Sequence, residues 1–67
     1  MTHQTQTVTI PEGVGYYVEY NGNLTGSFYR ATEVMTGKFE QEYKQNVIFK
    51  LADGKRAMTR KDLVQLG

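Results

Sequence analysis

The chain has no cysteine, so disulfide staples and zinc sites built on thiolates are both excluded. That fits a reducing compartment, and a cytoplasmic location is expected. Its one histidine, His3, has no cysteine partner and no fixed carboxylate nearby in sequence, and reads as a solvated residue. The one serine, Ser27, lacks the G-x-S-x-G setting of a hydrolase nucleophile. The carboxylates are scattered, with no pair at a spacing that reads as acid and base. Gly13-Val14-Gly15 precedes a strand pattern rather than a helix, so it is not a phosphate loop. Neither catalysis nor a cofactor or metal is expected. No apolar run approaches the roughly 20 residues of a membrane span, and no membrane partner is expected. The start, Met1-Thr2-His3-Gln4, lacks the basic and apolar regions of a signal peptide. With its own initiating Met, the chain reads as a complete small open reading frame, of a kind that suits a mobile-element or phage origin.

What remains is enough for one small domain. The chain has 67 residues, 39% of them apolar and 22% charged, which are ordinary globular values. A chain of this size buries only about 60% of the surface its unfolded form exposes, so the core must be compact. The net charge is +1, but it is unevenly spread: residues 1–42 carry −3 and residues 43–67 carry +4. That asymmetry points mildly to an anionic partner.

Alternation dominates the chain. Residues 1–10 read as a tail or an edge strand, with Thr7, Val8, Thr9 and Ile10 β-branched. Pro11-Glu12-Gly13 reads as a turn. Val14, Tyr16, Val18 and Tyr20 then share one strand face, with Tyr17 and Glu19 on the other. Asn21-Gly22-Asn23 ends that strand, and the polar stretch up to Phe28 reads as a loop of about seven residues. Residues 28–36 read as a second strand with a bulge near Thr32. Lys38 to Gln45 is undecided between a helical turn, with Phe39 and Tyr43 on one side, and a hairpin tip. Val47 to Ala52 is a strand, Asp53-Gly54 a two-residue turn, and Lys55 to Thr59 the return strand. That register puts Phe49 opposite Met58 in the core and Lys50 on the solvent face; a slip of one residue would bury Thr59 instead. Arg60-Lys61-Asp62-Leu63 suits one 3₁₀ turn, and Val64-Gln65-Leu66 a short last strand.

Over about residues 14–66 this order resembles the SH3-like small β-barrels, and the Tudor-like group most closely. Tyr20 through Thr32 looks like the Tudor first loop and second strand. Val47 to Gly54, followed by Arg60-Lys61-Asp62-Leu63-Val64, looks like the third strand, hairpin and closing turn. The resemblance implies an all-β, five-stranded SH3-like barrel over residues 11–67, with one 3₁₀ turn before the last strand. It also implies two positions of a methyl-cation cage, Tyr20 and Tyr29, held by cation–π attraction. The other two positions fall near Lys50 and Asp53, which are not aromatic, so the cage is half complete.

Two functions fit a barrel with five tyrosines and a basic C-terminal half. The first is a protein-interaction module or small inhibitor, docking through exposed aromatics or a sheet edge. Tyr17 and Tyr29 are its surface candidates, Tyr16 and Tyr20 being placed in or beside the core. The N-terminal segment could also pair with a second copy as an edge strand. The alternative is a DNA- or RNA-binding barrel, with Lys50, Lys55, Arg56, Arg60 and Lys61 on phosphates and Tyr17 or Tyr29 stacking bases. A sequence pI of 8.0 is low for a strong nucleic-acid binder. The protein-interaction reading is placed first.

Overall fold

The computed structural model describes residues 6–67, so His3 lies outside the described residues. The strands are β1 (Thr7–Ile10), β2 (Gly15–Tyr20), β3 (Asn23–Arg30), β4 (Met35–Tyr43), β5 (Asn46–Lys50), β6 (Arg56–Arg60) and β7 (Gln65–Leu66). One 3₁₀ turn, Lys61–Leu63, precedes β7. All pairings are antiparallel, in one sheet of order β3-β2-β6-β5-β4-β1-β7. The all-β class and the 3₁₀ turn are therefore as expected. The five-stranded barrel is not: there are seven strands, and the sheet stays open with β3 and β7 as its edges. Among the described residues, no helix is long and apolar enough to cross a membrane.

Two of the strands, β3 and β4, run through segments whose polarity disguised them. Asn21 and Gly22 adopt φ of 52° and 80°, and Tyr20 pairs directly with Asn23. This is a two-residue turn with both central residues left-handed, the type I′ geometry. The expected seven-residue loop is therefore a hairpin. Its second strand is polar because it lies at the sheet edge. The run 28–36 is not one strand either. It divides at residues 31–34, where Ala31 turns into the core and bends separate β3 from β4. The undecided segment 38–45 is β4 itself, closed by a two-residue turn at Lys44-Gln45 with Lys44 at φ 56°.

The Asp53-Gly54 hairpin forms, but with a three-residue loop. Leu51 N–H donates to Lys55 O at 2.9 Å, and Gly54 N–H donates to Leu51 O at 3.0 Å. Gly54 takes φ +89°, the bulge position that follows a type I turn. The added loop residue slips the expected register by one. Phe49 faces Ala57, Ile48 faces Met58 and Val47 faces Thr59. Thr59 is consequently buried and Met58 leaves the core face, against the expected register.

The core lies on the concave side of the curled sheet. Phe49, Ile10, Val8 and Val47 are its largest fully buried side chains, joined by Val18, Ala31 and Ala57. Residues 7–10 are thus neither tail nor edge. β1 pairs with β4 on one side and β7 on the other, and its Val8 and Ile10 help close the core. A boundary at residue 10 would cut that core.

Phe49 can lie flat against β4 because Gly37 has no side chain. A Cβ added there would stand 2.6 Å from Phe49 Cδ2 and 2.9 Å from Lys50 O. Gly37→Ala is expected to cost about 1–3 kcal/mol by overpacking. Ile10→Ala is expected to cost about 2–5 kcal/mol by opening a cavity. Urea denaturation of the two variants checks both, and an Ile10→Ala protein as stable as the parent would mean that β1 is not part of the core.

Candidate binding surface

The register that buries Thr59 arranges the convex face of the sheet. Phe28 on β3 stands opposite Tyr17 on β2, Tyr17 opposite Met58 on β6, and Met58 opposite Ile48 on β5. Directly opposed residues share a face, so these four form one apolar row across four strands. Phe28 owes its place to the bulge near Gly26. Without it the Asn21-Gly22 turn would set Gly26 opposite Tyr17. A Cβ on Gly26 would lie 2.5 Å from Tyr20 Cβ, so the bulge requires glycine.

Phe28 is 55% exposed and Tyr17 38% exposed. Their rings meet edge to face at 5.0 Å and 61°, a favourable aromatic geometry. The Phe28 ring also covers Gly15, where a Cβ would lie 2.3 Å from its Cζ. Together with Met58, Leu63 and Arg60 they line a shallow groove of about 340 Å³. Ile48 is buried on this convex side while Leu63 is exposed at the groove's end.

Of the expected site residues, Tyr17 alone among the tyrosines lines this groove. Tyr29 is exposed but stacks on Tyr16 at 6.0 Å, on the other face of β2–β3. Tyr20 is 62% exposed beside the Asn21-Gly22 turn, so its expected place at the core rim is corrected. Among the described residues the close ring pairs are Tyr16–Tyr29 and Tyr17–Phe28, and neither joins Tyr20 to Tyr29.

The expected cations are distributed differently from the first register. Lys50 and Arg56 face each other across β5–β6, and Arg60 faces Asn46. Lys55 lies between the loop and β6, and Lys61 opens the 3₁₀ turn. Four of these five sit beside carboxylates: Lys50–Glu40 at 3.7 Å, Arg56–Glu19 at 3.8 Å, Arg60–Asp62 at 2.8 Å and Lys61–Glu42 at 2.5 Å. Glu19 also accepts the backbone N–H of Arg56 at 2.7 Å. Three of these acids, Glu40, Glu19 and Glu42, come from the acidic N-terminal half, so the charges of the two halves meet in the fold. A second cleft, between Lys38, Lys50, Thr7 and Thr36, is the place where cations face each other across β4–β5.

Sequence reasoning did not find Phe28, Met58 and Leu63 as site residues. The signal for Phe28 and Met58 was the turn chemistry, since an Asn-Gly hairpin and a bulge glycine fix which residues oppose Tyr17. Comparison with protein-family models, curated proteins and solved structures finds no match.

The register behind this groove rests partly on one hydroxyl. Thr59 Oγ1 donates to Gly15 O at 2.8 Å, tying β6 to the start of β2. Thr59→Val keeps the shape and removes the donor, and is expected to cost about 1–3 kcal/mol in a thermal or urea melt. No measurable cost would mean that the Gly15 carbonyl finds another partner.

Proposed function

We propose that this protein is a non-catalytic binding module that takes a protein partner on its convex face, through Tyr17 and Phe28 with Met58 and Leu63. One observation carries the reading. Two exposed aromatics, Tyr17 and Phe28, are in contact and line a groove, whereas four of the five basic residues of the expected phosphate site are already beside carboxylates. Aromatic and methionine side chains are enriched at protein interfaces, and rings held in place anchor them at little entropic cost. Arg60 at the groove rim supplies a polar contact of the kind that fixes orientation. A small inhibitor would use the same surface.

The likeness in element order to the Tudor-like group supports a binding role rather than a methyl-cation reader. Tyr29 is engaged with Tyr16, and no ring pair joins it to Tyr20. Nucleic acid is the alternative. Its supporting observation is the Lys38–Lys50 cleft with Lys55 nearby in sequence.

The test compares capture by the parent protein and by Phe28→Ser and Tyr17→Ser, alongside amide-shift titrations with oligonucleotides. A partner held from about 0.15 M to about 0.5 M salt, and lost at least about thirtyfold in Phe28→Ser, is the expected result, the cost of a hot spot of about 2 kcal/mol. Amide shifts confined to Lys50, Lys55, Arg56, Arg60 and Lys61 that fade steeply with salt would replace it with phosphate binding.

A further inference from the structure

We infer that the free edge of β3 is a pairing site for a second copy of this chain, which joins it as an antiparallel strand about a two-fold axis. The two edges of the sheet differ. β7 is two residues long, and the adjacent Gly67 is bonded in both directions to Thr7. β3 is eight residues long. Edges of that length are normally guarded by charge, proline, a bulge or a covering segment. On β3 the guard covers only the first half, where Asn23 Oδ1 accepts the Thr25 N–H at 3.0 Å and the bulge near Gly26 interrupts the ladder. Ser27 to Tyr29 has no such device, and Arg30 at the strand's end is its only charge.

The backbone of that stretch has a definite polarity. Ala31 donates to Val14 O and accepts from Gly13 N–H, so both of its groups face β2. Alternation then turns the N–H and C=O of Tyr29 toward β2 and those of Phe28 and Arg30 toward the open edge. Four backbone groups in a row of two donors and two acceptors are complementary to their own two-fold image.

Side chains select the register. Arg30 is the one charged residue on β3. Pairing Arg30 with the partner's Arg30 would oppose like charges, which is destabilising. Pairing Phe28 with the partner's Phe28 would set the bulge at Gly26 against the partner's Arg30. Centring the axis on Tyr29 avoids both. Phe28 then exchanges its two hydrogen bonds with the partner's Arg30, and Arg30 with the partner's Phe28. Each Phe28 then stands opposite the partner's Arg30, whose guanidinium donates to Gly13 O of its own copy at 2.9 Å. Tyr29 meets the partner's Tyr29 as a non-hydrogen-bonded pair, with Cα atoms about 4.5 Å apart. A two-fold axis normal to the sheet keeps both convex faces on one side, so the dimer would present two grooves flanking the axis. This goes beyond the groove's own reading: the edge can pair whether or not the groove binds a protein.

Because the chain lacks cysteine, Tyr29→Cys places a single thiol on the proposed axis. That separation lies within disulfide reach. Val34→Cys, on the exposed link between β3 and β4, is the control. Under mild oxidation Tyr29→Cys is expected to form linked dimers at least about tenfold faster than Val34→Cys, given geometry rather than exposure as the cause. For the unmodified protein, sedimentation from about 1 μM to about 1 mM is expected to show the mass rising from 7.7 kDa toward twice that value. Over the same range the Phe28 and Arg30 amides are expected to become protected from exchange. A mass of 7.7 kDa throughout, or equal cross-linking at the two positions, would overturn the proposal.

Discussion

Gly54 at φ +89° is the constraint on which the rest of this structure depends. A three-residue loop and a two-residue loop differ by one position in register, and in a sheet one position exchanges the two faces. With the bulge in place Phe49 faces Ala57 over the core, and Met58 joins Ile48 on the outside. Thr59 is then carried inward, where a lone hydroxyl would be costly. Its bond to Gly15 O satisfies it and holds the first residue of β2 against β6. One backbone angle thus determines the composition of the core and of the convex groove.

Electrostatics follows from the same register. Lys50 and Arg56 become directly opposed like charges, an arrangement that is unfavourable unless acids intervene. Glu40 stands beside the first and Glu19 beside the second. The groups are largely exposed, so each pair contributes little to stability. Their consequence is for recognition. A phosphate approaching this face would have to displace a carboxylate already present, whereas the apolar row beside it has no internal competitor.

The fold class was legible because β-branched and aromatic residues alternate over Val14–Tyr20 and form an apolar run over Val47–Phe49. The 3₁₀ turn at Lys61–Leu63 was also legible. β3 was not, because the strand-forming signal of residues 23–27 is weak where the backbone is half exposed and unpaired on one side. The Asn21-Gly22 pair nevertheless carried the hairpin in full, and its local chemistry outweighed the missing hydrophobic pattern. β1 was misplaced for a different reason: the partners of Thr7–Ile10 lie in β4 and β7, which no local pattern can reveal. Of the site, Tyr17 was legible by parity alone. Phe28 required knowing that a bulge at Gly26 shifts the pairing, and Leu63 required the tertiary path of the 3₁₀ turn.

β5 explains why so much apolar surface remains outside. Val47, Ile48 and Phe49 are all buried, a continuous run that is usual for strands covered on both faces. Among the described residues there is no second layer. The concave side is closed by the curl of the sheet itself, and the convex side of Ile48 is shielded by side chains from neighbouring strands. Such a cover has an outer surface of its own, and that surface is Met58, Tyr17 and Phe28. Among the described residues no further element covers it. The row that protects the centre of the sheet is therefore also the proposed docking surface, so loss of Phe28 would bear on stability and recognition together. Binding and folding must be measured separately for every substitution in that row.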